Sequence, residues 1–324
     1  MYARLIAATA AAALGAGAVL VSAPSARAAA RPPAAPSPVA QNQPPRAHAA
    51  QSAADRAGAP GPATARHGDP LVIAHRGASA YAPENTLAAV DLADRMGFAW
   101  VENDVQRTRD GELVVLHDDS LTRTTDVEQR FPGRAPWKVK DFTAAEIATL
   151  DAGSWFGEQW AGARVPTLTQ YLRRVDRNHQ KLLLEIKRPE LYPGIEGDTL
   201  RVLGEEGWLD RSHVKRKLVI QSFGAATVEA VHRQRPDVVT GFLGTPAVAD
   251  LPSYAAFADQ INPSHTTITA DWVAAAHRLK GPHGKRLQVH TWTVNDAAGA
   301  VRADGFGVDG IITNNPDIVR DAVG

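Results

Sequence analysis

From Leu71 to Asn314 the chain repeats one pattern, a short apolar run of strand character followed by a stretch with apolar residues at helical spacing. The strand-like runs are LVIAHRG (71–77), WVENDVQ (100–106), LLLEIK (182–187), LVIQSF (218–223), VVTGFL (238–243), DQINP (259–263), LQVHTWTV (287–294) and DGIITN (309–314). Between them lie segments such as NTLAAVDLADRMG, where Leu87, Val90 and Met96 fall near helical spacing and Gly97 supplies a stop. Strands that alternate with helices pair in parallel through crossovers. Eight such units over residues 69–324 fit an α/β fold, the (β/α)8 TIM barrel, which needs roughly 250 residues. The alternative is an open, doubly wound sheet, which would split the strand-end groups around a switch point instead of a ring.

A barrel of this kind carries its chemistry at the C-terminal ends of its strands. Polar residues crowd there: His75 and Arg76, Glu102 and Asp104, Glu185 and Lys187, Gln221, Asn262, Trp292 and Asn314. A barrel built for stability alone has no need of them. The second strand leads into VENDVQRTRDGELVVLHDD (101–119), where Asp110-Gly111 is a two-residue hairpin signal. VVLHDD then reads as the return arm of a hairpin rising above strand two. Such a turn pairs Arg109 with Glu112, and counting outward sets Asp104 opposite His117. Alternation puts Glu102 on the same face.

Glu102, Asp104 and Glu185 offer hard oxygen ligands with no Cys nearby, a set that suits one divalent cation, Ca²⁺ or Mg²⁺, better than zinc. The competing reading pairs them with Arg76 and Lys187 in a buried ion network. Three inward-facing carboxylates repel one another unless a cation lies between them. His75 and His117 flank this cluster, and two imidazoles suit a reaction in which one alcohol is deprotonated and another leaves protonated. Arg76 and Lys187 add fixed positive charge, Arg76 with a planar fork matched to tetrahedral oxyanions. Together these residue types indicate phosphoryl transfer. No Gly-rich nucleotide loop is present, so ATP and GTP are not implied.

Lys plus Arg and Asp plus Glu number 35 each, so no net field recruits nucleic acid or an anionic membrane. The first 28 residues have Arg4, an apolar run to about Val21 and Ala26-Arg27-Ala28 as a small-x-small cleavage site, the pattern of an export signal. The apolar run is short for a membrane anchor. There is no cysteine for disulfides or lipid attachment. A released, secreted or periplasm-like product is expected, without a stable membrane anchor in the mature chain. Residues 29–68 are Pro/Ala-rich with almost no large apolar side chains and read as a linker that cannot repay the entropy of ordering.

HRGASAYAPENT (75–86), ENDV, DGELVVLHDDSLTRTT (110–125), LEIK, QSF, WTVN and DGIITNNPD (309–317) together resemble the glycerophosphodiester phosphodiesterase family, from about Leu71 to the C-terminus. The resemblance implies a TIM-barrel hydrolase that cleaves glycerophosphodiesters to glycerol 3-phosphate and an alcohol. It implies His75 and His117 as the acid/base pair, Glu102, Asp104 and Glu185 as metal ligands, and Arg76 and Lys187 as phosphate contacts, with Trp292 walling the substrate pocket. The implied order has the substrate's own glycerol hydroxyl attack phosphorus, giving a cyclic phosphate that water opens. Asn103 and Asn314 depart from the family's usual residues; Asn103 is expected to face outward, away from the metal. Asn85 belongs to a family motif, though capping of the following helix would also explain it. The connection 120–165, with Trp137, Trp155, Phe156 and Trp160, either covers the pocket or packs on itself. Competing functions are a lysophospholipase D or sphingomyelinase D-like enzyme and a non-catalytic secreted binding module. The module would be expected to lack a ligand or proton-transfer group, and here none is missing.

Overall fold

The computed structural model describes residues 68–324; the expected leader, 1–28, and the linker up to residue 67 lie outside the described residues. The strands are β1 (Leu71–Ala74), β2 (Trp100–Arg107), β3 (Leu113–Val115), β4 (Lys181–Ile186), β5 (Leu218–Ser222), β6 (Val239–Leu243), β7 (Gln260–Asn262), β8 (Gln288–Thr291) and β9 (Gly310–Thr313). All but β3 run parallel in one ring, and β1 pairs with both β2 and β9. This contact closes an eight-stranded TIM barrel and excludes the open sheet, whose edges would remain unpaired. Each of the eight runs expected from the sequence forms its barrel strand.

The period of two then decides what fills the barrel. In β4, Leu182, Leu184 and Ile186 join the apolar layer shared with the surrounding helices, whereas Leu183 joins Ile73, Val219 and Ile312 in a separate inner cluster. Glu185 has the parity of Leu183 and stands two residues nearer the C-terminal mouth. The same alternation gives Glu102 and Asp104 the inner face of β2, with Val101 and Val105 in the outer layer. The helix Leu168–Arg177 shows how the outer layer is held. It buries Leu168, Tyr171, Leu172 and Val175, one stripe at helical spacing, and Thr167 with Gln170 forms a capping box at its start.

The hairpin forms, but with a different register from that expected. Val105 pairs with Val115, Gln106 with Val114 and Arg107 with Leu113, so Asp104 stands opposite Leu116, whose N–H it receives at 2.9 Å. The loop has three residues, Arg109 to Gly111, closed by Thr108 N–H to Glu112 O at 2.9 Å, with Gly111 at φ 91°. Local side-chain bonds select this loop. Thr108 Oγ1 donates to Asp110 Oδ1 at 2.6 Å and accepts from Glu112 N at 3.0 Å, and Asp110 Oδ1 also accepts from Ala144 N at 2.9 Å. A one-residue shift would normally send His117 to the wrong face. Instead the strand ends at Val115, and Gln106 Nε2 donates to the carbonyls of Leu116, His117 and Asp118 at 2.9, 3.1 and 2.5 Å. That turn brings the imidazole to the pocket.

The long connection packs on itself. Leu116, Leu121, Val127, Val139, Phe142, Ile147, Leu150 and Val165 form a small core of their own, with Phe131 and Trp137 against it. The Trp137 indole donates to Phe131 O at 2.8 Å and that of Trp155 to Ala152 O at 2.9 Å. None of its aromatics lines the pocket described next.

Candidate active site

A cavity of about 100 Å³ opens at the C-terminal mouth of the barrel, lined by His75, Arg76, Glu102, His117, Glu185, Lys187, Gln221, Phe223 and Trp292 among others. Beneath it, Glu102, Asp104 and Glu185 bring carboxylate oxygens within 4.8 Å of one another, all three residues buried. Glu102 Oε1 and Asp104 Oδ1 make no hydrogen bond, and Glu185 Oε1 is met by the Lys187 ammonium. Lys187 Nζ lies 2.8 Å from Glu185 Oε1 and 3.7 Å from Asp104 Oδ1, and Arg76 Nε lies 3.2 Å from Asp104 Oδ2. Burial favours protonation of Asp104, but Arg76 and then Lys187 outweigh it and hold this carboxyl below the ordinary range. Burial and then Asp104 push Glu185 up to about 7, and burial with the same neighbour raises Glu102 well above the usual carboxylate values. Three carboxyls and two cations therefore do not balance by ion pairing alone. A divalent cation fits the set, because it would meet the unbonded oxygens of Glu102 and Asp104 beside Glu185 and remove the reason for Glu102 and Glu185 to hold protons.

His75 follows β1 directly, and its Nδ1 lies 2.6 Å from Asn314 Oδ1. An amide oxygen only accepts, so Nδ1 carries the proton and Nε2, 3.9 Å from Glu102 Oε2, is the free nitrogen. Burial and the Arg76 guanidinium lower the His75 pKa to about 4. His117 Nδ1 lies 2.6 Å from Asp118 Oδ1, which likewise leaves its Nε2 unbonded. Arg76 has a left-handed backbone, φ 57°, and its N–H donates to Glu102 Oε2 at 2.9 Å, so the residue is tied to the carboxylates through main chain and side chain. Trp292 is fixed by its indole N–H to Asn262 O at 2.8 Å and stands edge-on to Phe223, the ring centroids 5.6 Å apart.

The structure thus brings all eight expected residues into one site, with Asp104 just behind the pocket wall. Asn314 gains a definite place as the acceptor for His75. Asn85 does not cap the helix; Thr86 does, and Asn85, at φ 59°, donates Nδ2 to Asp104 Oδ2 at 2.8 Å. Asn103 is fully buried and absent from the pocket lining. Four residues escaped the sequence reading: Gln106, Asp118, Arg123 and Phe223. Asp118 adjoins His117, and a carboxylate beside an imidazole was the available signal. Gln106 acts within the hairpin, whereas the Arg123–Glu84 and Phe223–Trp292 contacts join distant segments, which residue spacing does not encode.

Fold and site together define a TIM-barrel enzyme with an acidic, cation-ready pocket flanked by imidazoles and positive charge. Residues 75–318 match the Glycerophosphoryl diester phosphodiesterase family, and the chain belongs to it. It is 34% identical to a glycerophosphodiester phosphodiesterase of Bacillus subtilis, over 76% of this chain and 84% of that protein. It is 35% identical to one from Caldanaerobacter subterraneus, over 78% and 97%. An Oleispira antarctica phosphodiesterase, solved with the product sn-glycerol-3-phosphate, superposes with a TM-score of 0.68 at 28% identity, covering 79% of this chain and 97% of that one.

Proposed function

We propose that this enzyme hydrolyses glycerophosphodiesters to glycerol 3-phosphate and an alcohol, with His75 and His117 moving the protons. The observation that carries the reading is the joint geometry: three buried carboxylates with oxygens within 4.8 Å of one another, and two imidazoles whose bonded Nδ1 atoms leave Nε2 unbonded, around one small cavity. Glu102, Asp104 and Glu185 would hold one divalent cation, Ca²⁺ or Mg²⁺, which when bound supplies Lewis-acid polarisation of the phosphoryl group. Arg76 and Lys187 bind and orient the phosphate oxygens. One imidazole takes the proton of the attacking glycerol hydroxyl while the other protonates the departing alcohol oxygen; reversal of these roles lets water open the cyclic phosphate. Trp292 forms the wall against which the glycerol or headgroup packs.

We further propose that the enzyme is exported and works outside the cytoplasm; the charged start, apolar run and Ala26-Arg27-Ala28 support this. The deciding experiment follows glycerol 3-phosphate and choline released from glycerophosphocholine, and choline released from lysophosphatidylcholine, each with and without chelator. Release that chelator abolishes is expected. Faster cleavage of the lysolipid would favour the lysophospholipase D-like alternative, and no release from either would leave a binding module.

A further inference from the structure

Arg123 does not line the pocket, yet it joins the two sides of it. Its Nε and Nη2 donate to Asp118 Oδ2 and Oδ1 at 2.6 and 3.0 Å, and its Nη1 and Nη2 donate to Glu84 Oε2 and Oε1 at 2.8 and 2.7 Å. One guanidinium therefore makes two forked pairs of charge-assisted bonds. Each carboxylate continues to a residue of the site. Asp118 Oδ1 accepts from His117 Nδ1, and Glu84 Oε1 accepts from Arg76 Nη1 at 2.8 Å. The chain of contacts runs from His117 through Asp118, Arg123, Glu84 and Arg76 to Asp104. Its ends arise on different elements, His117 after the hairpin arm β3 and Arg76 after β1.

We infer that Arg123 is a positioning residue, whose guanidinium sets the spacing between His117 and the phosphate-facing Arg76 by binding the carboxylate behind each. The inference rests on the phosphodiesterase reading above. Among the described residues only Asp118 bonds the His117 ring, and Asp118 is itself held by Arg123, at the edge of the long connection. Without Arg123 the Asp118 carboxylate is free to turn toward solvent, and the imidazole loses its orientation. On the other side, Glu84 keeps one partner, Arg76, and draws that guanidinium outward.

The test compares Arg123→Ala with wild type in the metal-loaded full chain. Turnover of glycerophosphocholine should fall roughly 10- to 100-fold, mainly in kcat. Millimolar guanidinium should restore part of it where equal sodium does not, since the free ion can occupy the same double fork. The nitrogen and proton shifts of the His117 ring, read by NMR, should move toward those of an imidazole without a carboxylate partner. Wild-type kcat in Arg123→Ala, or an unchanged His117 signal, would overturn the inference. Should this variant fold poorly, Arg123→Lys carries the same readouts, because an ammonium keeps the charge but cannot make both forks; full kcat there would count equally against it. A wild-type enzyme that releases no glycerol 3-phosphate would instead sink the phosphodiesterase reading, and the His117 signal would still report on positioning.

Discussion

Glu185 stands between Lys-Leu-Leu-Leu and Ile186 in β4, and only its parity places it over the inner leucine instead of against the helices. That parity was legible in the sequence, as were Glu102 and Asp104, because alternation needs nothing beyond the strand itself. Buried together without a cation, the three carboxylates repel. Addition of Ca²⁺ or Mg²⁺ should therefore raise the unfolding midpoint, by the equivalent of about 2.7 kcal/mol when the ion is at a hundred times its Kd. Glu185→Gln should remain folded in chelator and lose most of that rise; equal shifts in variant and wild type, followed by thermal denaturation, would remove Glu185 from the ligand set. His75→Ala and His117→Ala should each lower turnover by roughly 10²- to 10⁴-fold with the circular dichroism spectrum intact. Retention of wild-type turnover in either would dismiss that imidazole from proton transfer. The bonds behind the histidines were less legible. Asn314 lies 239 positions from His75, and nothing in local spacing joins them.

At the scale of elements, the strands could be read and their exact register could not. Hydrophobic alternation fixes which residues face inward, but the β2–β3 pairing is chosen by Thr108, Asp110 and the N–H of Ala144, thirty-four residues away from Asp110. A two-residue Asp-Gly turn and a three-residue loop with Gly111 at φ 91° share the same sequence signal, and a distant loop decides between them. Glycine plays two parts here that substitution can separate. Gly111 needs only its left-handed backbone, since nothing lies within 4 Å of where a Cβ would be. Gly77, at φ 79°, would place a Cβ 2.6 Å from the Ala89 carbonyl carbon, where the loop carrying Arg76 crosses the first helix. Gly111→Ala should thus cost about 1 kcal/mol, and Gly77→Ala distinctly more. Equal urea midpoints for the two variants would show that the close approach at Gly77 imposes no constraint.

Over the whole molecule, 35 basic and 35 acidic residues cancel, so pH acts through individual carboxylates. Asp309 accepts from Val289 N at 2.7 Å and lies 2.9 Å from His277 Nε2, with Arg286 on its other oxygen. Burial opposes ionisation there, but the His277 bond and the Val289 N–H outweigh it and hold the carboxyl below its ordinary value. A depressed folded pKa means that this stabilisation is complete above the unfolded value of roughly 3.9 and disappears as pH falls through the lower folded value. Asp309→Asn should lower stability near neutrality by about 1–3 kcal/mol and flatten the decline below about pH 4. A decline identical to that of wild type would contradict the assignment.

The pairing of Leu71–Ala74 with Gly310–Thr313 makes the first and last barrel strands neighbours, so the closed ring itself does not dictate at which strand the polypeptide begins. A circular permutant with those ends joined by a short linker and new termini at the exposed turn of Gly284 and Lys285 should assemble the same cavity, because that turn precedes β8 and lies at the opposite rim from the chemistry.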